Sequence, residues 1–281
     1  MKYSIDLRSD TVTKPTKQMF DSMYDVFDGL GDDVYEEDDT VQLLQKQVSS
    51  IFGKEEGLFF PSGTMCNLTA LLCWCNRGSE IILGNKSHIF LFEQGGAAQF
   101  GGIAFHTLTN NDDGTMEMDD IEDAIRDDDI HECNTSLITI ENTHNACGGK
   151  VLPKSFLNSV KELADKHNLP VHMDGARIWN ALEETDILPS EMGSYVHSLS
   201  VCLSKGLGAP VGSLLLGTKK FIQKAKRMRK ALGGGMRQSG ILAAAALATL
   251  KKKSGVGGSN IEGNSLQAQI KSLFRKCLRD Q

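Results

Sequence analysis

The chain has 281 residues, of which 40% are hydrophobic, and a formal net charge of −6 at pH 7. This size and composition allow a large buried core, so we expect a compact protein with one large domain or one and a half ordinary ones. No apolar run approaches the roughly eighteen residues of a membrane span, and the N-terminal MKYSIDLRSD lacks an apolar signal core, so we expect a cytoplasmic protein.

The first clear elements are a helix, a strand and a second helix. Apolar residues recur at three- and four-residue steps from Thr40 to Phe52, which predicts an amphipathic helix that ends at Gly53. The strand GLFF follows and leads into PSGTMCNLTALLCW, where the turn at Ser62 and Gly63 opens the next helix. A strand, a glycine turn and a helix in this order are typical of phosphate binding.

Short apolar runs then alternate with helical segments. The predicted strands cover residues 80–83, 104–108, 136–142, 170–175, 197–204 and 211–217, and helices are predicted at 118–126, at 154–167, from Ala176 and in the basic stretch after 217. Apolar runs of this length between helices indicate a mostly parallel sheet covered on both faces. The predicted fold class is α/β.

The sequence changes character after residue 250. ILAAAALATL gives way to KKKSGVGGSNIEGNS, a glycine- and serine-rich stretch typical of a linker, and LQAQIKSLFRKCLRD can form one amphipathic helix. We therefore predict a large domain over 1–250, followed over 251–281 by a divergent linker and a single helix, which can be disordered.

The seven cysteines are odd in number and scattered, with no C-x-x-C pair and no histidines at zinc-site spacing. We therefore predict no disulfide framework and no metal site. Most of them lie in apolar runs, where cysteine serves as a small buried hydrophobic residue.

Charge is distributed unevenly along the chain. Residues 217–281 carry 15 Lys and Arg against two Asp and Glu. Two interpretations remain open: a basic helix that folds against an acidic body, which the lack of interleaved aromatic residues favours, and a nucleic-acid-binding tail. The favoured interpretation predicts no nucleic-acid partner.

Candidate chemistry lies where predicted parallel strands end, because α/β proteins place their sites there. Ser62, Gly63 and Thr64 offer backbone N–H groups and hydroxyls for a phosphate, or only a helix cap. Asp174 ends a strand and can cap a helix or keep a pyridine nitrogen protonated. Lys205 follows SLSVCLS, and a lysine there is either a surface residue or an amine desolvated enough to condense with an aldehyde.

Seven segments together resemble the low-specificity L-threonine aldolases, members of the aspartate-aminotransferase-like fold type I. They are IDLRSDTVTKPT, GDDVYEEDDTVQLL, FFPSGTMCNLTAL, KSHIFLFEQGG, HMDGARIWNA, SLSKGLGAPVGS and GGGMRQSG. Their order and spacing match over roughly residues 4–250. The resemblance implies pyridoxal 5′-phosphate as cofactor, a small β-hydroxy amino acid as substrate, and a homodimer or homotetramer without a membrane partner.

The same resemblance implies a role for each matched residue. Lys205 would carry the cofactor, Asp174 would pair with its pyridine nitrogen, and Arg177 would lie beside its 3-oxygen and the substrate carboxylate. Ser62, Gly63 and Thr64 would hold its phosphate, with Arg237 contributed by a neighbouring subunit. His88 would stack on the ring and take the proton of the β-hydroxyl, Ser9 would contact the substrate carboxylate, and Tyr35 would reach the partner's site.

The expected reaction is cleavage of L-threonine or L-allo-threonine to glycine and acetaldehyde. The family continues into a small C-terminal domain that supplies a second carboxylate-binding arginine, and residues 251–281 offer no counterpart, so we expect this domain to be truncated or missing. Two alternatives therefore stay open: a cofactor-binding but catalytically impaired relative that acts as a partner or regulator, and another lyase or transaminase of the same fold.

Overall fold

The computed structural model describes residues 6–250. The predicted linker and helix at 251–281 lie outside the described residues, so the division of the chain at residue 250 stays a prediction. Within the described part, no helix is long and apolar enough to cross a membrane.

A seven-stranded sheet in the order β1-β7-β6-β5-β4-β2-β3 forms the centre of the described part of the chain. Its strands are β1 (Glu56–Phe60), β2 (Glu80–Gly84), β3 (Ala104–Leu108), β4 (Thr135–Glu141), β5 (Val171–Gly175), β6 (Ser198–Cys202) and β7 (Ser213–Gly217). Strands β6, β5, β4, β2 and β3 pair in parallel, and β7 runs antiparallel to both β6 and β1. The mostly parallel sheet and the α/β class are confirmed.

Helices occupy the connections and both faces of the sheet. They are α1 (Lys17–Tyr24), α2 (Asp39–Ile51), α3 (Gly63–Trp74), α4 (His88–Leu91), α5 (Met118–Asp123), α6 (Lys154–Lys166), α7 (Ile178–Glu184), α8 (Pro189–Ser194), α9 (Lys219–Ala231) and α10 (Gly240–Leu250). Short 3-10 turns lie at Asp10–Val12, Phe27–Gly29 and Asn145–Cys147, and a π-helical turn at Ala97–Gly101. Within residues 6–250, each strand and helix predicted from the apolar pattern is present, with bounds shifted by a few residues.

Strand β7 explains why the sequence contains continuous apolar runs rather than an alternating pattern. Leu214 and Leu216 join the core cluster that includes the buried face of α2, whereas Leu215 joins the cluster between the sheet and helices α3 and α9. A strand covered on both faces needs apolar side chains at successive positions. The same run fits either strand direction, so the antiparallel direction of β7 does not follow from its sequence.

The cysteines of the described part are free. Four of them, Cys66, Cys73, Cys75 and Cys202, are buried as predicted, and Cys133 and Cys147 are half-buried. Cys277 lies outside the described residues. Burial raises the pKa of both Cys73 and Cys75 to about 12, so these thiols are protonated and unreactive at neutral pH.

The basic helix α9 folds against an acidic part of the chain, as the favoured interpretation predicted. Lys226 pairs with Glu36 and Glu56. Arg229 is buried, lies 2.9 Å from Asp33 and donates to the Phe59 carbonyl at 2.7 Å. These contacts fix the segment around Asp33 to α9, and they give the helix charges a role inside the protein.

We expect Asp33→Ala to destabilise the protein by about 3 to 5 kcal/mol, because it leaves the Arg229 charge buried without its partner. Urea unfolding followed by circular dichroism measures the change. The control is Asp165→Ala, which breaks a surface pair with Lys161 and should cost less than about 1 kcal/mol. Equal costs for the two variants would contradict a structural role for the buried pair.

Candidate active site

Polar side chains gather at the edge of the sheet where the parallel strands end. Glu141 on β4, Asp174 on β5 and Ser200 on β6 stand side by side in the strand register. Ser213 begins the antiparallel β7 at the same edge, opposite Cys202 at the end of β6. The sequence predicted a site at this edge, and the sheet topology brings the strand-end residues together there.

Asp174 is 2% exposed and its carboxylate is surrounded by donors. Its Oδ2 accepts a hydrogen bond from Asn67 Nδ2 at 2.9 Å, and its Oδ1 accepts one from the backbone N–H of Ala176 at 3.0 Å. Ser200 Oγ lies 3.5 Å from the same Oδ1. A buried carboxylate held in this way is a fixed negative charge, which suits pairing with a protonated ring nitrogen.

The N-terminus of α3 forms a cradle for an anion. Ser62 caps the helix by accepting from the Met65 N–H at 3.2 Å, so the N–H groups of Gly63 and Thr64 lie in the first, uncapped turn. A Cβ added to Gly63 would stand 3.5 Å from Ser213 Oγ, which is buried and has no hydrogen-bond partner. Helix N–H groups and an unpaired hydroxyl are the donors that a phosphate monoester requires.

Lys205 lies in the short connection from β6 to β7. Its carbonyl accepts from Thr13 Oγ1 at 2.9 Å and from the N–H of Gly208 at 2.8 Å. Gly208 has a φ of 74°, a left-handed conformation that favours glycine. The lysine side chain is half-buried. The backbone of Lys205 is therefore fixed by two hydrogen bonds, one from the N-terminal segment and one from its own loop.

The N-terminal segment reaches this edge through an arginine pair. Arg177 donates to both carboxylate oxygens of Asp10 at 2.8 Å each, a bidentate contact across 167 residues of sequence. Ser9 Oγ accepts from the Thr11 N–H at 3.2 Å and lies beside Asp10. The predicted neighbours Ser9 and Arg177 are thus joined by Asp10, which the sequence reasoning did not identify.

His88 stands at the start of α4, between two buried acids. Its Nδ1 lies 3.0 Å from Glu93 Oε1, and its backbone N–H donates to Glu141 Oε2 at 2.8 Å. The hydrogen bond with Glu93 raises the pKa of His88. Burial and the nearby Asp174 carboxylate raise the pKa of Glu141 to about 7. The imidazole of His88 therefore lies close to the carboxyl groups of Glu93 and Glu141 at the same edge of the sheet.

His88, Glu93 and Asp174 are close enough to resemble a metal-binding group, with potential ligand atoms within 4.8 Å of one another. Asn67 Nδ2 lies between the two carboxylates and donates to each at 2.9 Å. An amide donor in that place supplies hydrogen bonds where a cation would have to sit. The geometry of this cluster favours a hydrogen-bonded network over a metal centre.

Arg237 and Tyr35 belong to a second group of contacts. Arg237 donates to Asp32 Oδ2 at 2.8 Å, and Asp32 Oδ1 accepts from the N–H groups of Val34 and Tyr35 at 2.8 and 3.3 Å. The Tyr35 side chain is largely exposed. The two residues predicted to act on a partner's site are therefore held together by one aspartate.

His172, on β5, is completely buried behind Asp174, and burial lowers the pKa of this histidine to about 4. The unfolded chain binds a proton on this residue below about 6.5. Stability that is fully present above this value should therefore be lost as the pH falls towards 4. We expect His172→Asn to flatten the dependence of the unfolding free energy on pH in this window, measured by urea unfolding.

The control for this pH experiment is His131→Asn, because His131 is exposed. This variant should keep the slope of the wild-type protein. If His172→Asn also kept that slope, the loss of stability would arise from other groups.

Residues 6–275 match the family model described as beta-eliminating lyase. The chain is 54% identical over 243 residues to an uncharacterised protein of Caenorhabditis elegans, covering 86% of this chain and 58% of that protein. It is 49% identical over 247 residues to the low-specificity L-threonine aldolase of Escherichia coli K12, covering 88% of this chain and 73% of that enzyme. The structure of a Leishmania major threonine aldolase has the same fold, with a TM-score of 0.75 at 18% identity, over 94% of this chain and 74% of that one.

The match over residues 6–275 shows that the chain belongs to the beta-eliminating lyase family. Within that family it belongs with the low-specificity L-threonine aldolases, which confirms the resemblance noted in the sequence. The α/β sheet is accordingly the large domain of fold type I.

Proposed function

We propose that this chain cleaves L-threonine or L-allo-threonine to glycine and acetaldehyde with pyridoxal 5′-phosphate as cofactor. The observation that carries the proposal is that a buried carboxylate, Asp174, and an anion cradle at Ser62 and Gly63 both lie at the same edge of the sheet. The family relationship supports the same reaction.

The residues at this edge fit the cofactor. The unpaired Ser213 hydroxyl and the N-terminus of α3, with Ser62, Gly63 and Thr64, would bind its phosphate. Lys205 would attach to its aldehyde carbon, and Asp174 would keep the pyridine nitrogen protonated. When bound, this cofactor supplies a pyridinium ring that accepts negative charge from the substrate carbon.

The remaining residues would handle the substrate. Arg177 would bind the substrate carboxylate, with Asp10 fixing the plane of its guanidinium and Ser9 adding a hydroxyl. His88 would remove the proton from the β-hydroxyl, after which the Cα–Cβ bond breaks and acetaldehyde leaves. A proton returned to Cα completes glycine.

We also propose that the working assembly is a homodimer or homotetramer, in which Arg237 and Tyr35 extend towards the site of a second copy. The exposure of the Tyr35 side chain supports this role, because it is 74% exposed among residues 6–250. Light scattering after size exclusion measures the assembly, and a monomer with full activity would contradict the proposal.

The proposed reaction is tested by purifying the chain with pyridoxal phosphate and recording its visible absorption. L-Allo-threonine is then added with alcohol dehydrogenase and NADH, so that released acetaldehyde oxidises NADH. Yellow protein that oxidises NADH supports an aldolase. Yellow protein without acetaldehyde would contradict the reaction but not the cofactor, and colourless folded protein would contradict both.

A further inference from the structure

A chain of hydrogen bonds runs from Trp74, the last residue of α3, to the candidate site. The donor and the acceptor of each bond can be deduced. Trp74 Nε1 can only donate, and it contacts Ser198 Oγ at 2.8 Å. Asn67 Oδ1 can only accept, so His172 Nε2, which lies 3.2 Å from it, carries the ring proton. His172 Nδ1 then holds the lone pair of the ring, and Ser198 Oγ, 2.9 Å away, donates to it while accepting from Trp74.

Asn67 ends this chain by donating to two acids. Its amide nitrogen contacts Glu93 Oε1 and Asp174 Oδ2, each at 2.9 Å. The reverse orientation would turn the amide oxygen towards two carboxylates and the nitrogen towards His172. Asn67 is 2% exposed, so such a mismatch would not be relieved by water. The buried amide is therefore fixed with its two N–H groups directed at the two acids.

Glu93 in turn determines which ring nitrogen of His88 carries the proton. Its Oε1 receives Asn67 on one side and lies 3.0 Å from His88 Nδ1 on the other, and the carboxylate is only 6% exposed. A buried carboxylate at this distance selects the imidazole form with the proton on Nδ1. The lone pair of the neutral ring is then on Nε2, the nitrogen that remains to receive a proton from a substrate.

We propose that Glu93 is a positioning residue that fixes the Nδ1–H form of His88, and that Asn67 joins Glu93 to Asp174 in one directed network. The inference rests on the proposed function for the purpose of this network, but its geometry is independent of any bound group. Its consequence is that the proposed base His88 and the carboxylate of Asp174, which would pair with the cofactor, are oriented together by a single buried amide.

Three acids act on the charge of His88. Glu93 follows α4, Asp174 lies one residue before the end of β5, and Glu141 ends β4 and accepts from the His88 backbone N–H. Glu93 alone of the three contacts the imidazole ring through a hydrogen bond. Removing its charge should therefore lower the affinity of His88 for a proton, while the other two acids remain.

Nitrogen-15 NMR of histidine-labelled full-length chain, with and without pyridoxal phosphate, tests the proposal. His88 among the seven histidines is assigned by the signal that disappears in His88→Gln. We expect the wild-type neutral ring to carry its proton on Nδ1. Glu93→Gln keeps an acceptor oxygen, so the Nδ1–H form should persist while the proton affinity falls about tenfold, or one pKa unit. Glu93→Leu should lose both.

The matched control is Glu122→Gln, which removes an exposed carboxylate 3.4 Å from a different histidine, His167. It should leave the His88 signals unchanged. A wild-type His88 with its proton on Nε2, or an unchanged His88 titration in Glu93→Gln, would overturn the proposal. If Glu93→Leu does not fold, Glu93→Gln still decides the outcome. A wild-type protein that releases no acetaldehyde would instead refute the proposed function and leave the NMR result standing.

Discussion

Replacing Lys205 by alanine should abolish the visible absorption of the cofactor-loaded protein and lower acetaldehyde release by roughly 10³-fold or more. The reason is that the amine would hold the cofactor covalently, and alanine offers no nucleophile. The fold should survive, because the contacts of this residue within the β6–β7 connection use its backbone carbonyl. Absorption spectra and the coupled NADH assay measure the two effects.

The control for this experiment is Lys220→Ala, since Lys220 is exposed on α9, which begins just after the end of β7 that lies away from the site. It should retain both colour and activity. A Lys205→Ala protein that keeps the absorption of a covalently held cofactor would show that another lysine carries it, and the assignment of this site would then be wrong.

Asp174→Asn should lower kcat by roughly 10²- to 10³-fold while leaving the fold intact. Asparagine has the shape of aspartate but no charge, so it fits the buried position without holding the ring nitrogen protonated. Its amide nitrogen must face the donor of Asn67 or of Ala176, so the variant should be folded but less stable. Steady-state kinetics with L-allo-threonine measure the effect, and circular dichroism verifies that the variant is folded.

The exposed Asp119 on α5 provides the matched substitution, Asp119→Asn, which should leave kcat unchanged. A small effect of Asp174→Asn on kcat would mean that this carboxylate serves the structure alone. In that case its hydrogen bonds with Asn67 and Ala176 would account for its burial.

The sequence was most informative where the physical signal is local. Apolar periodicity predicted the helices and strands, and the glycine turn at Ser62 and Gly63 predicted where α3 begins. The direction of β7 was inaccessible to this reasoning, because a strand buried on both faces looks the same in either direction. Direction depends instead on the length of the connection, which a pattern of apolar residues does not reveal.

The sequence reasoning also missed the acids that hydrogen-bond to two of the predicted site residues. Asp10 and Glu93 are the hydrogen-bonded acids of Arg177 and His88, but the motifs that contain them were interpreted only through their better-known neighbours. Asn67 did carry a usable signal. It interrupts an apolar helix that is buried almost all round, and a polar side chain in such a place requires a partner.

The antiparallel direction of β7 also limits how this part of the chain can vary. Because β7 starts at the site, the connection from β6 needs no helical crossover and spans only residues 203–212, with backbone bonds from Leu203 to Gly212 and from Ala209 to Leu203. An insertion or deletion there would shift the pairing of two central strands and turn buried leucines to the opposite face. The packing of the core therefore constrains the length of the loop that holds Lys205. Variation in length should be confined to connections other than the one between β6 and β7.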